Sequence, residues 1–122
     1  MGVPDTVRRG IHADVNILVG TQNYDNVLVP ISAAWQLFIT KITLSITTHF
    51  AGTITFDDDG AGPPIAAHTD AAAGAGILSV VHWDFTDKGR PLTQGANLDI
   101  SQSAAGLVGI AHIEGYQILV PA

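Results

Sequence analysis

Apolar residues alternate with polar ones over most of this chain, and the alternation breaks where Gly, Pro, Asn and Asp gather. A period of two predicts half-buried β-strands joined by turns. The longest such stretch runs from Trp35 to Gly60 and reads as a long strand, a tight reversal, a second strand and an acidic loop. Leu37 and Ile39 hold one phase, whereas Ile42, Leu44 and Ile46 hold the other. A slip of this kind at Thr40-Lys41 is what a β-bulge or a change of sheet produces. Thr43, Ser45 and Thr47 line the opposite face, which their small and β-branched side chains suit if it is wet or lightly covered.

Register decides how the reversal should be built. A two-residue loop at Ala51-Gly52 would turn Ile54 away from the apolar set. A three-residue loop of Phe50, Ala51 and Gly52 pairs His49 with Thr53, Ile54 with Thr48 and Phe56 with Ile46, and restores one apolar face. Gly52 is then expected in the left-handed position of a G1-bulge turn.

Elsewhere, Val15 to Val19 reads as a first strand, Gly20 to Asn26 as a polar loop and Val27 to Ile31 as a short apolar run with Pro30 at an edge or strand end. Asp57 to Pro64 reads as an exposed loop and Ile65 to His68 as a short strand. Thr69 to Gly76 reads as a tight-packed loop, since two glycines oppose a helical turn on its alanines. Ile77 to Phe85 is apolar on both faces and reads as a central or interfacial strand. A polar loop at Thr86 to Gly95 precedes a strand at Asn97 to Ser103 with Leu98 and Ile100 inward. After a small turn at Ala104 to Gly106, Leu107 to Gln117 makes the last long strand, and Ile118 to Ala122 closes the chain. The fold expected is all-β: an antiparallel β-sandwich of jelly-roll type with about seven or eight strands and no substantial helix. Residues 1–14 are expected to form an N-terminal arm or irregular segment, and residues 15–122 a single β-sandwich domain.

Composition adds a surface argument. In 122 residues only 13% are charged, against about 25% in an ordinary soluble domain, while 47% are hydrophobic. A monomer of this make-up would expose wide neutral patches, so assembly with other subunits is expected. A net charge of −6 argues against nucleic-acid binding by bulk electrostatics. No apolar run reaches the roughly 18 residues of a spanning helix. The sequence MGVPDTVRRG lacks the apolar region of a secretory signal. With no cysteine there is no disulfide and no thiolate chemistry.

Candidate chemistry is sparse. Asp57, Asp58 and Asp59 beside Gly60 offer hard oxygens for calcium, but without the alternate spacing and closing glutamate of an EF-hand. A solvated acidic turn outweighs that reading. His12, His49, His68, His82 and His112 show neither H-x-H nor H-E-x-x-H spacing, which disfavours a metal-dependent cupin. His82 and His112 lie mid-strand, where a hydrogen-bonded core or interface role outweighs metal ligation. Ser45, Ser79, Ser101 and Ser103 lack a nucleophile elbow. Trp35, Trp83 and Tyr116 could form a sugar-stacking platform, although large rings in a β-domain more often fill the core. No catalytic residue and no cofactor is expected. Arg8 and Arg9 are the candidate contacts with a partner, at the end of the arm.

Two phrases, LSITTHFAGTITFDDDG and GANLDISQSAAGLVGIAHIEGY, resemble the two hairpins of small tailed-phage virion proteins. Ala51-Gly52 and Thr53 to Phe56 match the first, and Gly95, Leu98, Ala104 to Gly106, Gly109 and Tyr116 the second. The resemblance covers roughly the last two thirds of the chain. It implies a non-enzymatic β-sandwich, often trimeric, that decorates or cements a capsid or forms part of a tail. The implied partners are further copies of the chain and the major capsid protein or another virion protein, with no nucleic acid and no membrane. The implied location is the virion, assembled in the host cytoplasm. The alternative is a receptor- or glycan-binding head of a tail fibre, baseplate or other spike.

Overall fold

Every strand pair in the computed structural model is antiparallel, and the pairs nest inside one another in chain order. The model describes residues 8–60, 63–71, 75–104 and 106–121, with backbone alone for 75–77. The strands are β1 (Arg9–Ile17), β2 (Asn23–Leu28), β3 (Trp35–Thr48), β4 (Gly52–Asp58), β5 (Ala66–Asp70), β6 (Ala75–Asp84), β7 (Arg90–Pro91), β8 (Leu98–Gln102) and β9 (Val108–Leu119). β1 pairs with β9, β2 with β8, β3 with β6 and β4 with β5. The result is two sheets, ordered β1-β9-β3-β6 and β2-β8-β4-β5, with the short β7 also paired to β3. A chain folded back on itself and then rolled, so that its pairs alternate between two sheets, is a jelly roll. The all-β sandwich expected from the alternation is therefore what forms.

The slip in β3 is a bulge. Ile39 pairs with Gly115 and Lys41 with Glu114, which leaves Thr40 over. Its carbonyl accepts the Phe85 amide at 2.8 Å. The extra residue lets Leu37 and Ile39, then Ile42, Leu44 and Ile46, all point inward, and all five are fully buried. Facing them across the interior are Ile54 and Phe56 of β4 and Leu98 and Ile100 of β8, while Ile113 of the adjacent β9 lies beside Ile42 in the same sheet, all within one apolar cluster.

The reversal after β3 differs from the expectation. β3 and β4 lie in opposite sheets and do not pair. Ile54 pairs instead with His68 and Gln102, and Phe56 with Ala66 and Ile100. Ile46 pairs with Ser79 and Gly109. Alternation says which side chains face the core but not which backbone completes the hydrogen bonds, so Ile46 and Phe56 enter the same core from opposite sheets and are not paired along a hairpin. Gly52 is outside the left-handed region. It is glycine because an added Cβ would lie 2.5 Å from the Phe50 ring and 2.6 Å from Ser103 Oγ. The second matched phrase likewise joins β8 to β9 across sheets; Ala105 of its turn lies outside the described residues.

Other boundaries move. Arg9 to Asp14, expected in the arm, pair along β9, and Met1 to Val7 lie outside the described residues. Asn23 to Asn26, expected in a loop, begin β2, held by β8 and broken in register between Tyr24 and Leu28. Asp57 and Asp58 belong to β4, opposite Asp99 and Leu98; Ala61 and Gly62 of that expected loop are not described. β5 extends to Asp70 and β6 starts at Ala75, so the loop expected at Thr69 to Gly76 shrinks, with Ala72 to Gly74 outside the described residues. β6 ends the sheet order, so of the two places its apolar faces allowed, central or interfacial, the central one is not where it lies.

Candidate functional site

Because β1, β9, β3 and β6 run side by side, every second residue of each lands on the outer face of that sheet in transverse rows. At one end the Arg8 guanidinium sits 4.2 Å from the centre of the Tyr116 ring. Tyr116 stacks on Phe38 with ring centres 5.0 Å apart, and its hydroxyl donates to the Lys88 carbonyl. The next row is His12, Glu114, Lys41 and Asp84, in which basic and acidic groups alternate. Then come Asp14, His112, Thr43 and His82, with His112 Nδ1 on Asp14 Oδ1 and His82 Nδ1 2.8 Å from Thr43 Oγ1. The following row is Asn16, Ile110, Ser45 and Val80. Beyond it, Leu18 and Leu78 join Ile110 and Val108 around a shallow apolar concavity. The face thus grades from a cation–aromatic stack, through paired charges, to exposed Leu18, Leu78, Val80 and Ile110.

The His112–Asp14 pair is half exposed on both sides, so it contributes no more than about 1 kcal/mol. Its use is in matching a partner's charges. His82 and His112, expected as hydrogen-bonded groups mid-strand, are hydrogen-bonded and stand on this face. Both belong to H-x-D/E spacing or cross-strand rows that a search for H-x-H passes over.

A second cluster was not anticipated. His49, just past β3, places Nδ1 3.0 Å from both oxygens of Asp70, the last residue of β5. The Phe50 amide donates to Asp70 Oδ2 at 3.1 Å, and His68 Nε2 lies 3.4 Å from Oδ1. Burial raises the Asp70 carboxyl, but the His49 hydrogen bond, the Phe50 amide, the His49 charge and the His68 hydrogen bond outweigh it and hold the group below its ordinary value. The cluster ties the end of one sheet to the edge of the other. His68-x-Asp70, same-face spacing on a strand, was the signal in the sequence.

The acidic run divides its labour. Ser101 Oγ donates to Asp57 Oδ2 at 2.7 Å. Asp58 accepts from the Gly60 amide and from both the amide and hydroxyl of Thr93. Asp59 stands near Asp99, on the neighbouring strand β8. Strand alternation parts Asp57 from Asp58, and among the described residues no three of His, Asp and Glu converge to hold a metal ion. Burial raises Asp99, the Asn26 amide lowers it, and the charges of Asp59 and Asp25 raise it further, for a net upward shift. The folded state then binds more protons than the unfolded one just above pH 3.8, so ionising Asp99 costs stability as pH rises. Asp99→Asn keeps an oxygen for Asn26 and removes that cost. It is expected to raise the melting temperature at pH 7 and to lose the advantage below pH 3.8, as read by thermal melts at both pH values.

Arg9 packs 5.6 Å over the Trp35 ring. Trp83 meets Phe56 edge-on at 5.5 Å and packs against the core. Trp35, Trp83 and Tyr116 are therefore not brought together into one platform.

No family model matches this chain, and no curated protein matches it. Solved structures similar to it include a chain from work describing Bacillus endospore appendages as a family of disulfide-linked pili, at 14% identity and TM-score 0.43, covering 98% of this chain and 93% of that one. Another is the virus-like particle of the extra small virus of the giant freshwater prawn Macrobrachium rosenbergii, at 11% identity and TM-score 0.42, covering 97% and 82%. A third is the Tobacco streak virus coat protein, at 13% identity and TM-score 0.39, covering 100% and 90%. At such identities and scores these likenesses carry no functional argument, and the jelly roll rests on the chain's own strand pairing.

Proposed function

We propose that this chain is a non-enzymatic virion structural protein, a capsid decoration or cement subunit that associates with itself and with the shell. One observation carries the reading: Leu18, Leu78, Val80 and Ile110 stand exposed together on one sheet face of a chain with only 13% charged residues. A patch of this kind marks a protein contact. The resemblance of its two cross-sheet phrases to small tailed-phage virion proteins supports the virion as the setting and the major capsid protein as the partner. Burying apolar area at about 25 cal/mol per Å² would hold neighbouring shell subunits together and raise the barrier to opening. Arg8 and Arg9, exposed at the aromatic end of the same sheet, would add charged contacts.

The test is to add purified chain to shells that lack it. Sedimentation with the shells and a higher shell disruption temperature are expected. No co-sedimentation at any ionic strength would overturn the reading. The alternative of a glycan-binding head gains no observation, since Trp83 is committed to the core and Arg8 covers Tyr116.

A further inference from the structure

The outer face of the β1-β9-β3-β6 sheet matches its own reversal, row by row. In the charged row His12, Glu114, Lys41 and Asp84 are all exposed, and reversing their order puts an acid where each base was and a base where each acid was. The row beside it has Asp14 at the β1 side and His82 at the β6 side. Asn16, Ile110, Ser45 and Val80 follow and carry no charge to conflict. At the far end Leu18 and Leu78 flank the apolar concavity, one on each side, 57% and 65% exposed. Among the described residues no ion pair joins Lys41 to its neighbours Glu114 and Asp84. Their charges are left for another molecule.

We infer that this face packs against the same face of a second copy, about a twofold axis that runs parallel to the strands between β9 and β3. Two sheets stacked face to face lie about 10 Å apart with their strands roughly aligned. The axis reverses each row and lays it over itself. Glu114 then meets Lys41 of the second copy beside the axis, and His12 meets Asp84 further out. Asp14, whose Oδ1 holds His112, has Oδ2 for His82 of the second copy. Leu18 covers Leu78. A twofold axis across the strands would instead lay the charged row over Leu18 and Leu78 and bury charges unpaired, which is costly. Only a contact between identical faces requires a surface to complement its own reversal, so the charge pattern names a second copy as the occupant.

The area agrees. Four strands about 4.8 Å apart and four rows about 6.8 Å apart give roughly 500 Å² per copy. Twice that reaches the roughly 1,000 Å² at which a specific contact begins, so the dimer is expected to dissociate on dilution. The contact is isologous and closes at two, unlike the trimer that the resemblance implies. This inference deepens the proposed function, and rests on its reading of a self-associating chain.

Sedimentation equilibrium of the native protein is expected to show a monomer–dimer equilibrium. Lys41→Glu sets a carboxylate against Glu114 of the second copy, and Glu114→Lys sets an ammonium against Lys41. Each alone should weaken the dimer at least about tenfold through like charges across the contact. A 1:1 mixture of the two variants is expected to regain a dimer of native strength, because each altered site then meets its altered opposite. Asp25→Lys, on exposed β2 of the other sheet, changes net charge as much as Glu114→Lys does and should leave the dimer intact. Leu18→Asp reads the apolar end independently and should also weaken the dimer at least about tenfold, since its charge meets Leu78. These are surface positions, and circular dichroism is expected to show native folds. A monomer at every concentration, a trimer, an Asp25→Lys loss equal to that of Glu114→Lys, or folded Lys41→Glu and Glu114→Lys chains that stay monomeric when mixed would each overturn the inference. Failure of the two readings is distinguishable. Shell binding by a natively monomeric chain sinks only the twofold contact, and a dimer that shows the charge complementation yet ignores shells sinks only the virion role.

Discussion

Asp70→Ala is expected to lower stability by about 2–4 kcal/mol, or roughly 10 °C in melting temperature for a domain of this size. The Asp70 side chain is 8% exposed and that of His49 6%, so water cannot replace what the substitution removes. The Phe50 amide and the His49 ring both lose their carboxylate acceptor at the corner where β3 crosses to the other sheet. Asp70→Asn retains one oxygen and should fall between. The pH dependence has a definite sign. Because the folded carboxyl lies below its ordinary 3.8, the unfolded chain binds more protons between the two values, and stability rises with pH there. The benefit is complete above about pH 3.8 and is lost as pH falls through the folded value. The gap between the native protein and Asp70→Asn should therefore close in acid. A gap that persisted unchanged at pH 2 would contradict the account.

Gly109→Ala is the other large expected effect, about 2–3 kcal/mol. An alanine Cβ there would lie 2.0 Å from the Ser45 carbonyl oxygen and 3.1 Å from the Ile46 Cα. Those are backbone atoms of the central strand β3, so no side chain can rotate away. Gly109 pairs with Ile46, beside the second register shift in β3, just as Gly115 pairs with Ile39 beside the first. Gly10→Ala supplies the control, since a Cβ at that position meets nothing within 4 Å. Urea unfolding of both variants should show a large shift of midpoint for Gly109→Ala and almost none for Gly10→Ala.

What the sequence made legible was orientation. The slip at Thr40 and the inward set Leu37, Ile39, Ile42, Leu44 and Ile46 are consequences of period two, and the structure has them as expected. Partnership was not legible. The connection at Phe50 to Gly52 has the length of a hairpin, yet the chain uses it to change sheets, and nothing local in the residues distinguishes the two outcomes. The same gap hid the rows on the outer sheet face. Asp14 and His112 are 98 positions apart, and only the pairing of β1 with β9 brings them together. Asp57 and Asp58 read as loop because aspartate disfavours strands, but Ser101 and Thr93 donate to them and hold them in β4.

The central place of β9, between β1 and β3, has a kinetic consequence. β4 and β5 are close in sequence and can zip early, but β9 is the last strand in chain order and, among the described residues, the one that joins β1 to the rest of its sheet. Until it docks, β3 presents a long open edge and β1 has no neighbour in its sheet. Loop closure on that scale makes folding slow. In a crowded pool of nascent copies, that interval is when one molecule's β9 can complete another's sheet.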